Sequence, residues 1–369
     1  MKTVRRLLYR DIVASVGFVA LAFLALFYFI DFVETLGDTG PKGRPLDAAW
    51  SAALEIPGHF YELMPIAVLI GTIYSLARMA QSSEFTILRT GGLGPWRALG
   101  LLATLGVVFS AITFLVGEYL APRAEREAVL FKASVSGGLR VGSAGAWLKE
   151  RRHGTDGDHH YSINIAGTSP RGGLAEVRIF EFDDDGRLLV RIEAREGQVG
   201  DDGTWTLLNA DEARWPRARA AGQPPVQLLH HAQLQWPSTL TPAVVAAAVL
   251  PLRTMSTLEL WRYSAHLSVQ EQSAQRYQIQ FWKKALNPFA CLVMVALALP
   301  FAYMHARAGS VSIKVFGGIM LGIGFVLLNN LAGHIGLLSG WRPWAAAASP
   351  SLLFLALSMG AFTWLVRYR

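Results

Sequence analysis

Only one cysteine occurs in the 369 residues, so no disulfide can form within the chain. Charged residues make up 17% of it against 52% hydrophobic ones, too few charges for an ordinary soluble domain. No G-x-x-x-x-G-K-S/T loop cradles a phosphate, so the chain does not hydrolyse ATP by that route. A G-x-S-x-G elbow, an H-E-x-x-H helix and a paired-carboxylate arrangement in a suitable context are also missing. Two histidine pairs, His159–His160 and His230–His231, do not fill the gap. Neighbours on a strand point to opposite faces, which is poor geometry for one metal. No catalytic residue, no metal and no other cofactor is expected.

Long uncharged runs are what the chain does have. About 20 apolar residues at 1.5 Å rise cross the hydrocarbon core of a bilayer. Nineteen uncharged residues separate Asp11 from Asp31, while Ala98–Gly117 and Ala285–Met304 give twenty each. Val315–Gly333 adds nineteen and Pro343–Val366 twenty-four. Leu63–Ala77 reaches spanning length once Ile56–Tyr61 is included, with Glu62 near one end. The first run exceeds the apolar core of a signal peptide, and DFVETLGD follows it with no small-residue cleavage site. It therefore reads as a retained helix. The expectation is six transmembrane helices, three before a polar middle and three after it.

Lys and Arg in the short loops set the orientation. One side carries Lys2, Arg5, Arg6, Arg10, Arg78, Arg89, Arg97, Arg307, Lys314, Arg367 and Arg369, eleven in all. The other side has three, Lys42, Arg44 and Arg342. Both termini are thus expected in the cytoplasm and the polar middle, roughly Glu118 to Gln280, outside it. The net charge of +7 needs no nucleic acid to explain it. Cys291, inside the fourth run, reads as a small packing residue.

From Gly137 to Pro237 the pattern changes to alternation. AEVRIFEF places Val177, Ile179 and either Glu181 or Phe182 on one face, and DDDG at Asp183–Gly186 signals a turn. RLLVRIEAREGQV, TWTLLNADEARW and PPVQLLHHAQLQW supply further strands. Such spacing indicates a small antiparallel sandwich or jelly-roll, with Ile179 and Leu189 as inward positions. Ser256 and Glu259 then form a capping box for a helix leading to the fourth span.

Between the second and third spans lies ARMAQSSEFTILRTGGLGPWR, Ala77–Arg97. Ser82 or Ser83 is placed to cap a short helix, Glu84 complements its dipole, and Gly91–Gly92 end it. Phe85 and Leu88, three apart, share a face. So short a helix is marginal alone, and a groove in a partner would supply the missing packing. Membrane-surface binding of its apolar face is the competing reading.

LMPIAVLIGTIYSLARMAQSSEFTILRTGG resembles the second span and following loop of the lipopolysaccharide export permeases, the LptF/LptG family. RYQIQFWKKALNPFACLVMVALALPF resembles the start of their fourth span and is closer to the LptG member than to LptF. The resemblance covers nearly the whole chain. It implies an α+β membrane protein: residues 1–117 with three spans and a coupling helix at about 82–90, 118–280 with a periplasmic β-jelly-roll and connecting helix, and 281–369 with three more spans. It implies a bacterial inner-membrane ABC exporter with a dimeric ATPase, a second six-span permease resembling LptF, a periplasmic bridge and a single-span LptC-like protein. Within it Ser83, Glu84, Phe85 and Leu88 belong to the ATPase-coupling loop. Phe27, Lys42, Arg44, Ile179 and Leu189 are the lipid-binding candidates. The sequence departs from the family near the outer end of the first span, where a basic residue is associated with the lipid's phosphates. Here FIDFVETLGDTGPKGR is acidic at Asp31, Glu34 and Asp38. The alternatives are a membrane enzyme acting on a lipid and a signalling permease that moves no substrate. For an enzyme only Glu62, Glu118, His305 and His334 stand near the spans.

Overall fold

The computed structural model describes residues 2–38, 44–136, 139–140, 145–154, 157–168, 173–200, 203–215, 226–240, 244–245, 249, 251–269, 274–303 and 311–367. Lys42, His305, Arg307 and the two terminal residues lie outside that set. The elements are α1 (Lys2–Asp38), α2 (Pro45–Gln81), α3 (Glu84–Thr90), α4 (Pro95–Leu115) and a π turn (Val116–Leu120) running into α5 (Ala121–Ser136). Seven strands follow: β1 (Leu139–Arg140), β2 (Ala146–Gly154), β3 (Gly157–Thr168), β4 (Leu174–Phe182), β5 (Leu188–Val199), β6 (Thr204–Arg214) and β7 (Gln227–Pro237). Then come α6 (Thr257–Val269), α7 (Gln275–Tyr303), α8 (Val311–Leu338) and α9 (Pro343–Arg367).

Among the described residues six stretches are long and apolar enough to cross a membrane: Arg5–Gly37, Pro45–Gln81, Pro95–Lys132, Gln275–Tyr303, Val311–Leu338 and Pro343–Trp364. The third continues through the π turn, so Gly117 falls inside an unbroken helical rod. Helix α2 is the most buried of the six, with α1, α7 and α8 packed around it. Lipid tails are as apolar as leucine, so helices associate through close packing, which small residues permit. In α8, Gly318 and Gly322 serve it. A Cβ there would fall 2.7 Å from Ile73 Cδ1 and 2.8 Å from Ile66 Cγ2 of α2. Gly324 faces open space.

The β-domain is one antiparallel sheet in which β3 to β7 pair consecutively and β1 and β2 share the far edge of β3. Its connections are those of a meander, so closure comes from curling of one sheet, not from the crossed connections of a jelly-roll. Leu148, Ile163, Ile179 and Ile192 fall in one register row and form the core with Trp205 and Leu207. Leu240, Val245 and Val249, after β7, pack on the same core. The expected inward position Leu189 is corrected: Val190 packs on the core, and Leu189 lies on the other face. On β4, Glu181 continues the inward row before the register shifts at Glu181/Phe182.

The curl is latched where β2 meets the end of β7. The Arg152 guanidinium lies 4.3 Å from the Tyr161 ring centre and 4.4 Å from that of Trp236. It donates to Glu150 Oε1 at 2.7 Å and to the Pro237 carbonyl. Glu150, 3% exposed, also accepts from Ser238 Oγ and the Thr239 N–H, each at 2.8 Å. Burial alone would raise its carboxyl, but the Arg152, Thr239 and Ser238 donors together hold it below the ordinary 4.5. A depressed folded pKa gives stability that is present above the unfolded value and lost as pH falls through the folded one. Protease resistance of the β-domain in the detergent-solubilised chain should therefore hold from pH 7 to about 5 and decline below about 4. Glu150→Gln should remove about 2 kcal/mol of that protection at neutral pH and flatten its pH dependence; an unchanged profile would show that the latch contributes nothing.

Candidate functional site

Two places combine exposed chemistry with a rigid base: the loop around α3 and a pocket at the β-domain end of the spans.

Helix α3 starts without its expected cap. Ser83 sits in the left-handed region, at φ 63°, and its hydroxyl makes no cap hydrogen bond. An N-cap needs extended backbone to aim its oxygen at the N2 and N3 amides, so that expectation is corrected. Ser82 Oγ donates backward to Met79 O at 3.3 Å. The other end follows the glycine signal: Gly92 has φ 99°, Leu93 N donates to Leu88 O, and Gly92 N to Arg89 O. This is a Schellman ending, with Leu93 buried beyond it.

The face carrying Phe85 and Leu88 looks into the protein. Phe85 is 4% exposed and meets the Tyr303 ring edge-on at 5.1 Å. Leu88 packs on the same core, and the Arg89 guanidinium lies 5.8 Å from the Tyr303 ring centre. Phe85 is thus no knob for a partner; it anchors α3 to the end of α7. Ser83, Glu84, Thr86, Ile87, Arg89 and Thr90 are exposed, and Ile87, 67% exposed, is the apolar one among them. The sequence reading missed Ile87. Its signal was an apolar residue off the Phe85–Leu88 stripe, on an otherwise polar face.

At the opposite end a cavity of about 330 Å³ opens among α1, α2, α5, α7 and α8, lined by Phe27, Glu62, Glu125, Lys283, Asn287 and Asn330 among others. Tyr61 locks its wall, donating to Lys284 O at 2.6 Å and accepting at its own carbonyl from Asn287 Nδ2 at 2.9 Å. Lys284 Nζ donates to Met255 O at 2.6 Å. Next to Met255 the capping box forms as expected, Ser256 N to Glu259 Oε2 and Glu259 N to Ser256 Oγ. Glu118 accepts from Thr257 N at 3.0 Å and Arg126 pairs with Glu259 at 3.0 Å. These bonds root α6, and with it the return from the β-domain, on the base of α5 and α7.

At the acidic end of α1 Asp31 has a partner on α2, while Glu34 is exposed. Asp31 pairs with His59 Nε2 at 2.7 Å, and Glu55 with Lys132 at 2.6 Å and Arg253 at 3.9 Å. Asp31, Glu55 and His59 bring ligand-type atoms within 4.8 Å of one another. His59 hydrogen-bonds Asp31 and Lys132 pairs with Glu55, so each of the three already has a partner within the chain. Phe27 packs against the His59 ring at 4.9 Å, tilted by 33°, and lines the cavity. Arg44 is exposed at the start of α2, away from the cavity lining. Each histidine of the two pairs has an acidic partner, His159 with Glu181, His160 with Asp184, His230 with Asp211 and His231 with Glu212.

Six membrane-length helices, an inserted β-domain and an anchored loop helix define a multi-pass membrane permease. The chain belongs to the family described as lipopolysaccharide export system permease LptF/LptG, whose profile matches residues 6–367. It is 23% identical over 361 residues to the Haemophilus influenzae lipopolysaccharide export system permease protein LptG, 97% of each chain being covered. Against the Escherichia coli K12 protein of the same name it is 27% identical over 338 residues, 89% of each. It is a non-catalytic permease component of the inner membrane. Phe85→Ala should cost about 3 kcal/mol by emptying the contact with Tyr303, and Ile87→Ala almost nothing. Thermal unfolding of the purified chain compares them; equal midpoints would place Phe85 outside the core.

Proposed function

We propose that the chain is one of two paired permease subunits that draw lipopolysaccharide from the inner membrane and pass it to a periplasmic bridge. A single-span LptC-like protein and a dimeric cytoplasmic ATPase complete the assembly. The termini and α3 face the cytoplasm and the β-domain the periplasm, in keeping with the eleven-to-three Lys/Arg asymmetry. The observation that carries the reading is the anchored helix α3: it holds a carboxylate and an apolar side chain outward while its other face is fixed to α7. A partner gripping Glu84 and Ile87 thereby moves α7 as well. Acyl chains enter the β-domain beside Ile179 by displacing Leu240, Val245 and Val249 from its core.

Losing one partner of a buried charge pair costs roughly 2–5 kcal/mol, so Glu84→Lys should abolish copurification of the ATPase. Ile87→Ala should weaken it, with insertion and the β-domain fold unchanged. Charge reversal of the facing ATPase residue should restore part of it. ATPase copurifying at wild-type levels with both variants would reduce α3 to a connector. A photo-crosslinker at Ile179 should capture glycolipid only when ATP is supplied, and one at the outward Arg178 should not; capture at Arg178 alone would exclude entry into the core.

A further inference from the structure

At the end of α1 away from the β-domain, three guanidiniums stand together without partners. Arg5, Arg6 and Arg10 are exposed, and none has a hydrogen-bond or ion-pair partner among the described residues. Other cations near that end are already engaged. Arg78 pairs with Asp11 at 2.8 Å, Arg97 donates to Gly92 O at 3.3 Å, and Arg89 lies 5.8 Å from the Tyr303 ring centre.

The face that carries the three is held rigidly and turned outward. Leu8, Ile12 and Val16, four apart, are buried on the other side of α1, where Val16 lies against Gly71 of α2. Tyr9 Oη donates to Leu101 O of α4 at 3.0 Å and fixes the flank. An open groove of about 690 Å³ is left along the outward face, lined by Arg5, Arg6, Tyr9, Arg10, Val13 and Ala14. From Val13 the strip runs on into the span through Gly17 and Leu21, again four apart. Leu21 is 68% exposed, and a Cβ at Gly17 would meet nothing within 4 Å.

The groove thus passes from charge to hydrocarbon in about one helical turn. A water-soluble acidic protein would pair the guanidiniums and leave Val13 and Leu21 bare. A neutral lipid would cover the apolar strip and leave three cations unpaired. An anionic phospholipid does both, and three forked donors within about 8 Å of helix exceed what one phosphodiester accepts. We propose that this groove binds an anionic phospholipid with two phosphates, the diphosphatidylglycerol class. Its phosphates sit on Arg5, Arg6 and Arg10, and one acyl chain lies along Val13, Gly17 and Leu21. The site is at the opposite end of the spans from the cavity at Tyr61, so its lipid is a fixed neighbour of α1 and not cargo. It stands independently of what is exported and in which direction.

The test is native mass spectrometry of the detergent-solubilised full chain, mixed with equimolar diphosphatidylglycerol, phosphatidylglycerol and phosphatidylcholine. Wild type should retain the first over the second and the second over the third. Arg10→Gln should lower diphosphatidylglycerol retention about fivefold, whereas the same charge change at the exposed Arg367 of α9 should not. Replacing Arg5, Arg6 and Arg10 together by Lys keeps the charge but loses the forked bonds, and should cost about threefold. Gly17→Leu, which fills the strip without touching a charge, should also weaken retention. All these positions are exposed, so thermal midpoints in neutral detergent should not move. Equal retention of the two anionic lipids would overturn the proposal, as would wild-type retention by the Lys and Gly17→Leu variants alike. The arginines would then be a general attraction for negative surfaces. Protection of Arg5, Arg6 and Arg10 from phenylglyoxal by partner subunits in neutral lipid would overturn it too, because the face would be a subunit contact.

Discussion

Helix α2 is the post on which the membrane half leans. In a bilayer every backbone polar group has to be satisfied within its own helix, and helices gain little from hiding apolar surface from one another. What remains is fit, and α2 meets it on three sides. It takes α1 along its length, the glycines of α8 against Ile66 and Ile73, and α7 through the bonds of Tyr61 and Asn287. Its half nearer the β-domain also carries Glu55 and His59, which would be costly in hydrocarbon if left alone. Both are paired, to Lys132 and Asp31.

That pairing changes the meaning of the acidic stretch after the first span. In the sequence, Asp31 and Glu34 looked like a surface that would repel phosphates. In the fold Asp31 is hydrogen-bonded to a histidine 28 positions away, and the cations lining the pocket at the β-domain end are Arg253, Lys283 and Lys284. The local sequence showed a charge but not where its partner stood.

The same limit explains what could and could not be read in advance. Runs of apolar residues, the Ser256–Glu259 box and Gly92 act through nearest neighbours, and each element formed where its residues said. Phe85 and Leu88 were correctly placed on one face, but nothing in a seven-residue helix says whether that face looks in or out. Leu188, Leu189 and Val190 are three apolar residues in succession, so alternation gave no parity there, and the bulge at Glu181/Phe182 shifted the register beside them. The outer pocket draws on five helices separated by up to three hundred positions, beyond any local pattern.

Helix α7 has a grip at each end. Tyr303 holds Phe85 of the loop helix, and Lys284 holds the Met255 carbonyl at the foot of α6. Tyr303 and Lys284 are nineteen positions apart, about 28 Å along the helix. A straight helix is stiff along its axis, so a push at Tyr303 would arrive at Met255 with little loss. Pro288 and Pro300 lie between the grips, and a proline within a helix removes a hydrogen bond and favours a kink. The rod therefore resists compression but yields to bending at two fixed joints. The stroke that reaches the β-domain would be a swing, its direction set by where the two prolines sit around the helix.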